Sequence, residues 1–452
     1  MKNAHKRSVH TMKRVIALLL LLALVLSICA CAEEETPTQT GSQTEPVQSD
    51  ATEPDTTREP WPEELYQVTK PMKYPVYTYD HEPTTDELRQ TAVQAMRDML
   101  SIQWSTPTYF AYQKTGAVSG KKFSHVPGYT YCGLPYTNGD SAIYSWYEFY
   151  DQETGMLYFD GDGMELNRIL GNTCTGSIMW GWATVCDGLT GIYDNFHMTP
   201  MWGCYPVGNY KTQYGIDNFT QYSTAQIIDD NGDAVMLECY AQMLPADAVA
   251  SQPQDHGMMI IEKPVVVRNS DGTINAEESY VMIQDQRAGT GQLFYQVEED
   301  GEMHYYSGRT SYKYTFARLL SEDYIPVTAA EFMGTDPYKP PMVVHKPAVE
   351  EVKTLDDLLS GTMECNFPMV IIKLMATDEN GEDIMIHRVF LDKVDNRNGL
   401  CRKFNLSDIK YELQNTNYNG LLESGKTYTF RYDITVSNGE IITPSQVTAT
   451  FN

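Results

Sequence analysis

From residue 226 onward, β-prone runs alternate with Asn-Gly and Asp-Gly pairs, and this alternation restricts the chain more than any other feature. Asn, Asp and Gly tolerate the positive φ that a tight hairpin turn demands, so each pair marks a place where a strand can reverse. AQIIDDNGDAVMLECYAQM, HGMMIIEKPVVVRNSDGTINAEESYVMIQDQ and GQLFYQVEEDGEMHYYS each read as strands around such a pair. The pattern resumes beyond the proline-rich stretch GTDPYKPPMVVHKPAVEE. There, FPMVIIKLMATDENGEDIMIHRVFLD and TYTFRYDITVSNGEIITPSQVTATFN read as two more antiparallel pairs.

Helical signals precede the strands. Thr84 and Glu87 form a capping box ahead of DELRQTAVQAMRDMLSIQW, in which Leu88, Ala92, Ala95, Met96, Met99 and Ile102 share one helical face. The expected class is α+β: N-terminal helices packed on an antiparallel sheet over residues 61–337, a linker over 338–350, and an all-β immunoglobulin-like sandwich over 351–452. Cys365 and Cys401 could bridge that sandwich.

The ends of the chain speak to location. Lys2, Lys6, Arg7, Lys13 and Arg14 precede the apolar run VIALLLLLALVLSICA, the layout of a secretory signal. The run ends Ile28-Cys29-Ala30-Cys31, which resembles a bacterial lipobox. That resemblance implies a signal peptide over 1–31, lipid attachment to Cys31 and a protein held at the outer face of the membrane, in reach of the cell wall. Residues 32–60 carry Thr, Pro, Glu and Gln with almost no large apolar side chain, so a disordered acidic tether is expected there. The formal net charge of −27 argues against a nucleic-acid partner, since neutralising phosphates takes clustered Lys and Arg. Seven cysteines follow Cys31, an odd number, with no C-x-x-C pair of the kind that zinc or thioredoxin-like chemistry uses. No metal and no cofactor is expected, and oligomeric state is left open.

One cysteine stands apart. In GNTCTGSIMWGWATVC, Asn172 and Thr173 can cap a helix that Cys174 opens, with Ile178, Trp182 and Val185 close to its face. A sulfur in a first helical turn meets the positive end of the helix dipole, which favours the thiolate. A base is available downstream: His256 begins the apolar strand HGMMII after a loop of small and polar residues. If Asp271-Gly272 is a two-residue turn, position 256 falls opposite 287 and 258 opposite 285. Asp285 then lies diagonally beside His256 on one face of the sheet, where a carboxylate orients an imidazole. A three-residue turn reverses the parity, so Gln286 is held in reserve.

Taken in order, GYTYCGLPYTNG, GNTCTGSIMWGWATV, LPADAVASQPQDHGMMII and SYVMIQDQ resemble the blocks of NlpC-type cell-wall cysteine peptidases. These, with the related CHAP amidases, share a papain-like fold. The resemblance spans roughly residues 125–290. It implies a nucleophile at Cys174, a base at His256, a third residue at Asp285, Tyr129 or Tyr131 lining the sulfur, and Asp247 in the loop before the histidine strand. Thr173 and the N–H groups at the helix start would line the oxyanion site. Thr175 stands where the family usually has Ser, the third position is Asp, and an insertion over 187–215 lengthens the gap to His256. The implied activity is cleavage of amide bonds in peptidoglycan stem peptides, or in other peptides, through an acyl-enzyme. The alternative is a surface binding or adhesion lipoprotein whose papain-like domain has lost its activity.

Overall fold

In the computed structural model, Thr84 caps a 17-residue helix, α1 (Thr85–Ser101), with both hydrogen bonds of the capping box formed. Leu88, Ala92, Ala95, Met96 and Met99 are buried along it, as the 3.6-residue period requires. The structure describes residues 73, 75–113, 122–137, 139–159, 170–189, 204–211, 223–287, 295–334, 337–392, 400–416 and 420–451. The expected signal, Cys31, the acidic tether and most of the 187–215 insertion lie outside these residues. Among those described, no helix is long and apolar enough to cross a membrane.

The second helix, α2 (Cys174–Ala183), lies against α1 and is buried at every one of its ten positions. The sequence places Ile178, Trp182 and Val185 close to one face, as if the other sides met solvent. Instead α1 and the central sheet enclose the helix, and Ser437 from the C-terminal region donates to the carbonyl of Ala183, so no side meets solvent.

The sheet beneath these helices has six strands: β1 (Cys204–Pro206), β2 (Ala248–Ser251), β3 (His256–Ile260), β4 (Tyr280–Gln286), β5 (Gly308–Thr315) and β6 (Ile325–Ala329). Their order is β5-β4-β3-β2-β6-β1, antiparallel throughout. Every residue of β3 is buried, so both faces of the sheet are covered there. A smaller sheet joins Gln103–Trp104, Thr130–Cys132, Glu302–Tyr306 and Tyr295–Glu299, with a parallel pair at its centre.

Turn signals succeeded unevenly. Asp300 and Gly301, at φ 54° and 83°, make the expected two-residue hairpin between Glu299 and Glu302. Asn231-Gly232 does not. The segment around it folds as two helices, Thr224–Asn231 and Asp233–Tyr240, with Gly232 as the joint between them at φ 78°. Ile227, Ile228, Met236, Cys239 and Tyr240 supply helical rather than alternating burial, and Ser223 caps the first helix.

The loop at Asp271-Gly272 holds three residues, not two. Asn269 donates to Thr273 at 2.8 Å across Ser270, Asp271 and Gly272, and Arg268 bridges Ile274. Two irregularities then shift the ladder, first to Val265 opposite Tyr280 and finally to Ile260 opposite Ile283. Their net offset is odd, so β3 and β4 meet in the register that a two-residue turn would have given.

In the C-terminal region, seven strands join into one curled sheet. Thr362–Thr377 is its backbone. It pairs with Val343–Lys346 and Cys401–Asn405 early along its length, and with Asp383–Phe390 and Thr427–Val436 later. Pro368, which has no N–H to give a ladder, sits where the partners change. Val343–Lys346 lies within the stretch expected as linker, and a ten-residue helix, Ser407–Thr416, interrupts the region expected to be all-β.

The described residues belong to one compact unit. Glu148 pairs with Lys373 at 2.6 Å and Arg388 at 2.9 Å, while Asp392 accepts from the Ala142 amide and the Ser145 hydroxyl. Val370, Ile371, Phe390 and Leu400 complete the core around α1 and α2.

Candidate active site

Thr173 has extended backbone geometry and accepts the Gly176 amide at 3.0 Å, which starts α2 at Cys174. The carboxylate of Asp140 lies at the same end: it accepts the Thr173 amide at 3.0 Å and the Thr173 hydroxyl. A Cβ at position 176 would stand 2.2 Å from Asp140 Oδ1, so only glycine fits here. Asp140 also fixes the helix further along, its carbonyl accepting from the Trp180 indole at 2.6 Å.

The thiol of Cys174 lies against the start of β3. Its sulfur is 4.0 Å from the Asp255 carbonyl, and it shares a hydrogen bond with the His256 ring. On the other side of that ring, His256 Nε2 is 2.8 Å from Asp285 Oδ2. With Nε2 committed to the carboxylate, Nδ1 is the ring atom left for the sulfur. Cys174 is 4% exposed, His256 5% and Asp285 0%.

Burial alone would strip the proton from His256, but the Asp285 and Cys174 hydrogen bonds outweigh it and its pKa is raised. Burial likewise works against a charged Asp285, yet His256 and Arg309 hold its carboxyl well below the ordinary range. His125 shows what burial does unopposed. Enclosed by Trp104, Phe110, Tyr112 and Tyr131, its ring is pushed down to about 3.

The structure thus brings Cys174, His256 and Asp285 together. Gln286 lies elsewhere: its side chain turns to the opposite face of β4, where Oε1 accepts from Ser177 at 3.3 Å and Nε2 donates to Leu134 and Ser307. Neither tyrosine expected to line the sulfur is at the site. Tyr129 is 43% exposed and packs edge-on against Tyr305, while the Tyr131 hydroxyl accepts from the Val126 amide at 2.7 Å. Tyr136 holds that place, hydrogen-bonded to Cys174, with its phenol pushed far up by burial and by the neighbouring thiol. Thr173 is a cap whose own N–H is taken by Asp140, so it offers no oxyanion donor. Asp247 is remote, in a buried ion pair with Arg89 at 2.7 Å.

Sequence reasoning missed Tyr136, Asp140, Arg309 and Tyr312. Tyr136 lies within the block GYTYCGLPYTNG, but nothing local separates it from its neighbours. Arg309 sits directly opposite Asp285 across β4 and β5, beside a register shift between Ile283 and Asp285 that no sequence pattern reveals. Among the described residues no disulfide forms, and Cys365 and Cys401 do not bridge. Comparison with family models, with curated proteins and with solved structures found no match to this chain.

Proposed function

We propose that the chain is a cysteine hydrolase of the NlpC type, with a papain-like arrangement of helix and sheet, that cleaves amide bonds in peptidoglycan stem peptides. The observation that carries this reading is the chain of contacts from a sulfur at a helix start, through an imidazole at a strand start, to a buried carboxylate.

In that mechanism His256 takes the thiol proton, and the Cys174 thiolate attacks the amide carbon, forming a C–S bond. First-turn N–H groups of α2, that of Cys174 included, stabilise the oxyanion. His256 then gives its proton to the leaving nitrogen as the C–N bond breaks. Water attacks the thioester with His256 as base, releasing the acid and restoring the thiol. Asp285 keeps Nε2 protonated and the ring in place throughout, as the third member of such a triad does.

Lipid attachment at Cys31 would hold the enzyme on the outer face of the membrane, and the acidic tether would let it reach the wall. The C-terminal sheet would serve as an immunoglobulin-like module docked on the catalytic part.

Purified wall fragments test this directly. The parent protein should release new amino groups, and Cys174→Ala and His256→Ala should release none above background. A Cys174→Ala protein that retains hydrolysis ends the proposal. The near-complete burial of Cys174 favours a second reading, a binding lipoprotein with an inert papain-like domain. Wall binding without hydrolysis, undiminished in Cys174→Ala, would select it.

A further inference from the structure

Asp285 is more heavily engaged than a triad's third member needs to be. Oδ2 receives His256 Nε2 at 2.8 Å, Arg309 Nη2 at 3.0 Å and the Tyr312 hydroxyl at 3.3 Å, while Oδ1 receives Arg309 Nε at 3.1 Å. The guanidinium is therefore a two-pronged clamp on a fully buried carboxylate. It is itself held flat, with its central carbon 3.3 Å from the centre of the Tyr312 ring. All three clamp residues come from the paired strands β4 and β5, so the assembly is rigid.

We infer that Arg309 is a positioning residue for the proposed hydrolysis: it locks the Asp285 carboxylate in the orientation that His256 uses and offsets its charge. The inference rests on the cysteine-hydrolase reading. Its physical content is a balance. A lone buried aspartate would bind the imidazolium so tightly that His256 would give up its proton reluctantly to the leaving nitrogen. An aspartate already paired with a guanidinium presents little net charge while still accepting the Nε2 hydrogen, so the ring stays oriented and its proton stays transferable. The other ionisable or charged groups around the pair include Cys174 on α2, Tyr136 and Asp140 on the preceding loop, Asp255 before β3, Arg287 after β4, Tyr314 on β5 and Tyr324 before β6. Beside them, Arg309 grips both carboxylate oxygens of Asp285.

The test is the pH profile of Cys174 alkylation by iodoacetamide, mapped by peptide mass in the full chain, and it needs no substrate. The upper inflection of that profile reports loss of the His256 proton. In Arg309→Gln it should move up by about one pH unit, because a nearby cation has been removed. In Arg309→Lys, which keeps the charge and loses the fork, it should stay close to the parent value. There kcat on wall fragments should fall about tenfold with KM unchanged, as displacement of an orienting group predicts.

Superimposable profiles for Arg309→Gln and the parent would overturn the inference. If Arg309→Gln does not fold, Arg309→Lys carries the test, and an unaltered kcat in that variant overturns it. Failure of the underlying reading looks different: parent Cys174 would then alkylate no earlier than an ordinary thiol, and the role given to Arg309 would fall with it.

Discussion

Two sets of cysteine, histidine and carboxylate can be compared among the described residues, and they differ in how the sulfur and the carboxylate meet the ring. In the first, Cys174 opens a helix, Asp285 takes Nε2 of His256, and the opposite ring nitrogen is left for the sulfur. In the second, Cys132 ends a short strand, 3.9 Å from His304 Nδ1, and Glu299 lies 3.2 Å from that same nitrogen. Sulfur and carboxylate therefore compete for one ring atom instead of flanking the ring. Glu299 is also partly exposed and receives the Tyr306 hydroxyl at 2.7 Å. Burial pushes the Cys132 thiol up to about 11, with no helix start to oppose it. Residue types alone do not make a nucleophile; the side of the ring on which each partner stands does.

Substitutions at matched positions can break that contrast. The largest effect belongs to the sulfurs. Cys174→Ser should reduce amide hydrolysis by about 10³-fold or more, whereas Cys132→Ser should stay within about twofold of the parent, measured as amino groups released from wall fragments. Comparable losses in both variants would abolish the distinction. The carboxylates come next. Asp285→Asn should lower kcat by about 10²-fold or more through loss of ring orientation, and Glu299→Gln should leave it essentially unchanged.

A smaller effect is expected at the helix start. Gly176→Ala places a methyl group against Asp140, so α2 must shift, and a loss of about tenfold in kcat/KM should follow while the Cys132 set is untouched.

The smallest effect is on stability against pH. Asp285 has a folded pKa below its unfolded one, so its contribution is present above the ordinary carboxylate range, near pH 4, and is lost as pH falls through the folded value. His256 has a raised pKa, so its contribution is complete below about 6.5 and is lost as pH climbs through the folded value. Melting temperature should therefore decline on both sides, and His256→Gln should flatten the alkaline side. An alkaline slope identical to the parent's would contradict the assigned direction.

What could be read in advance followed from local rules that a few adjacent side chains decide. The capping box at Thr84 and the hairpin at Asp300-Gly301 each depend on such neighbours, and both formed as expected. Asn231-Gly232 failed because glycine ends a helix as readily as it turns a hairpin, and the burial of Met236, Cys239 and Tyr240 decides between them. The meeting of His256 with Asp285 was anticipated from a turn that proved one residue longer, and offsets elsewhere in the connection restored the parity. Contacts between distant segments left no local trace. The burial of α2 on every side depends on the C-terminal region reaching Ala183, and the Arg309 clamp depends on the register of a third strand.

Whether His256 ionises Cys174 is decided by labelling Cys174 with iodoacetamide at pH 6.5, in the parent and in His256→Ala. Cys174 should be modified ahead of the other thiols in the parent and should lose that advantage in the variant. Equal labelling in both proteins, rising only as pH approaches the ordinary thiol value near 8.5, would contradict that ionisation.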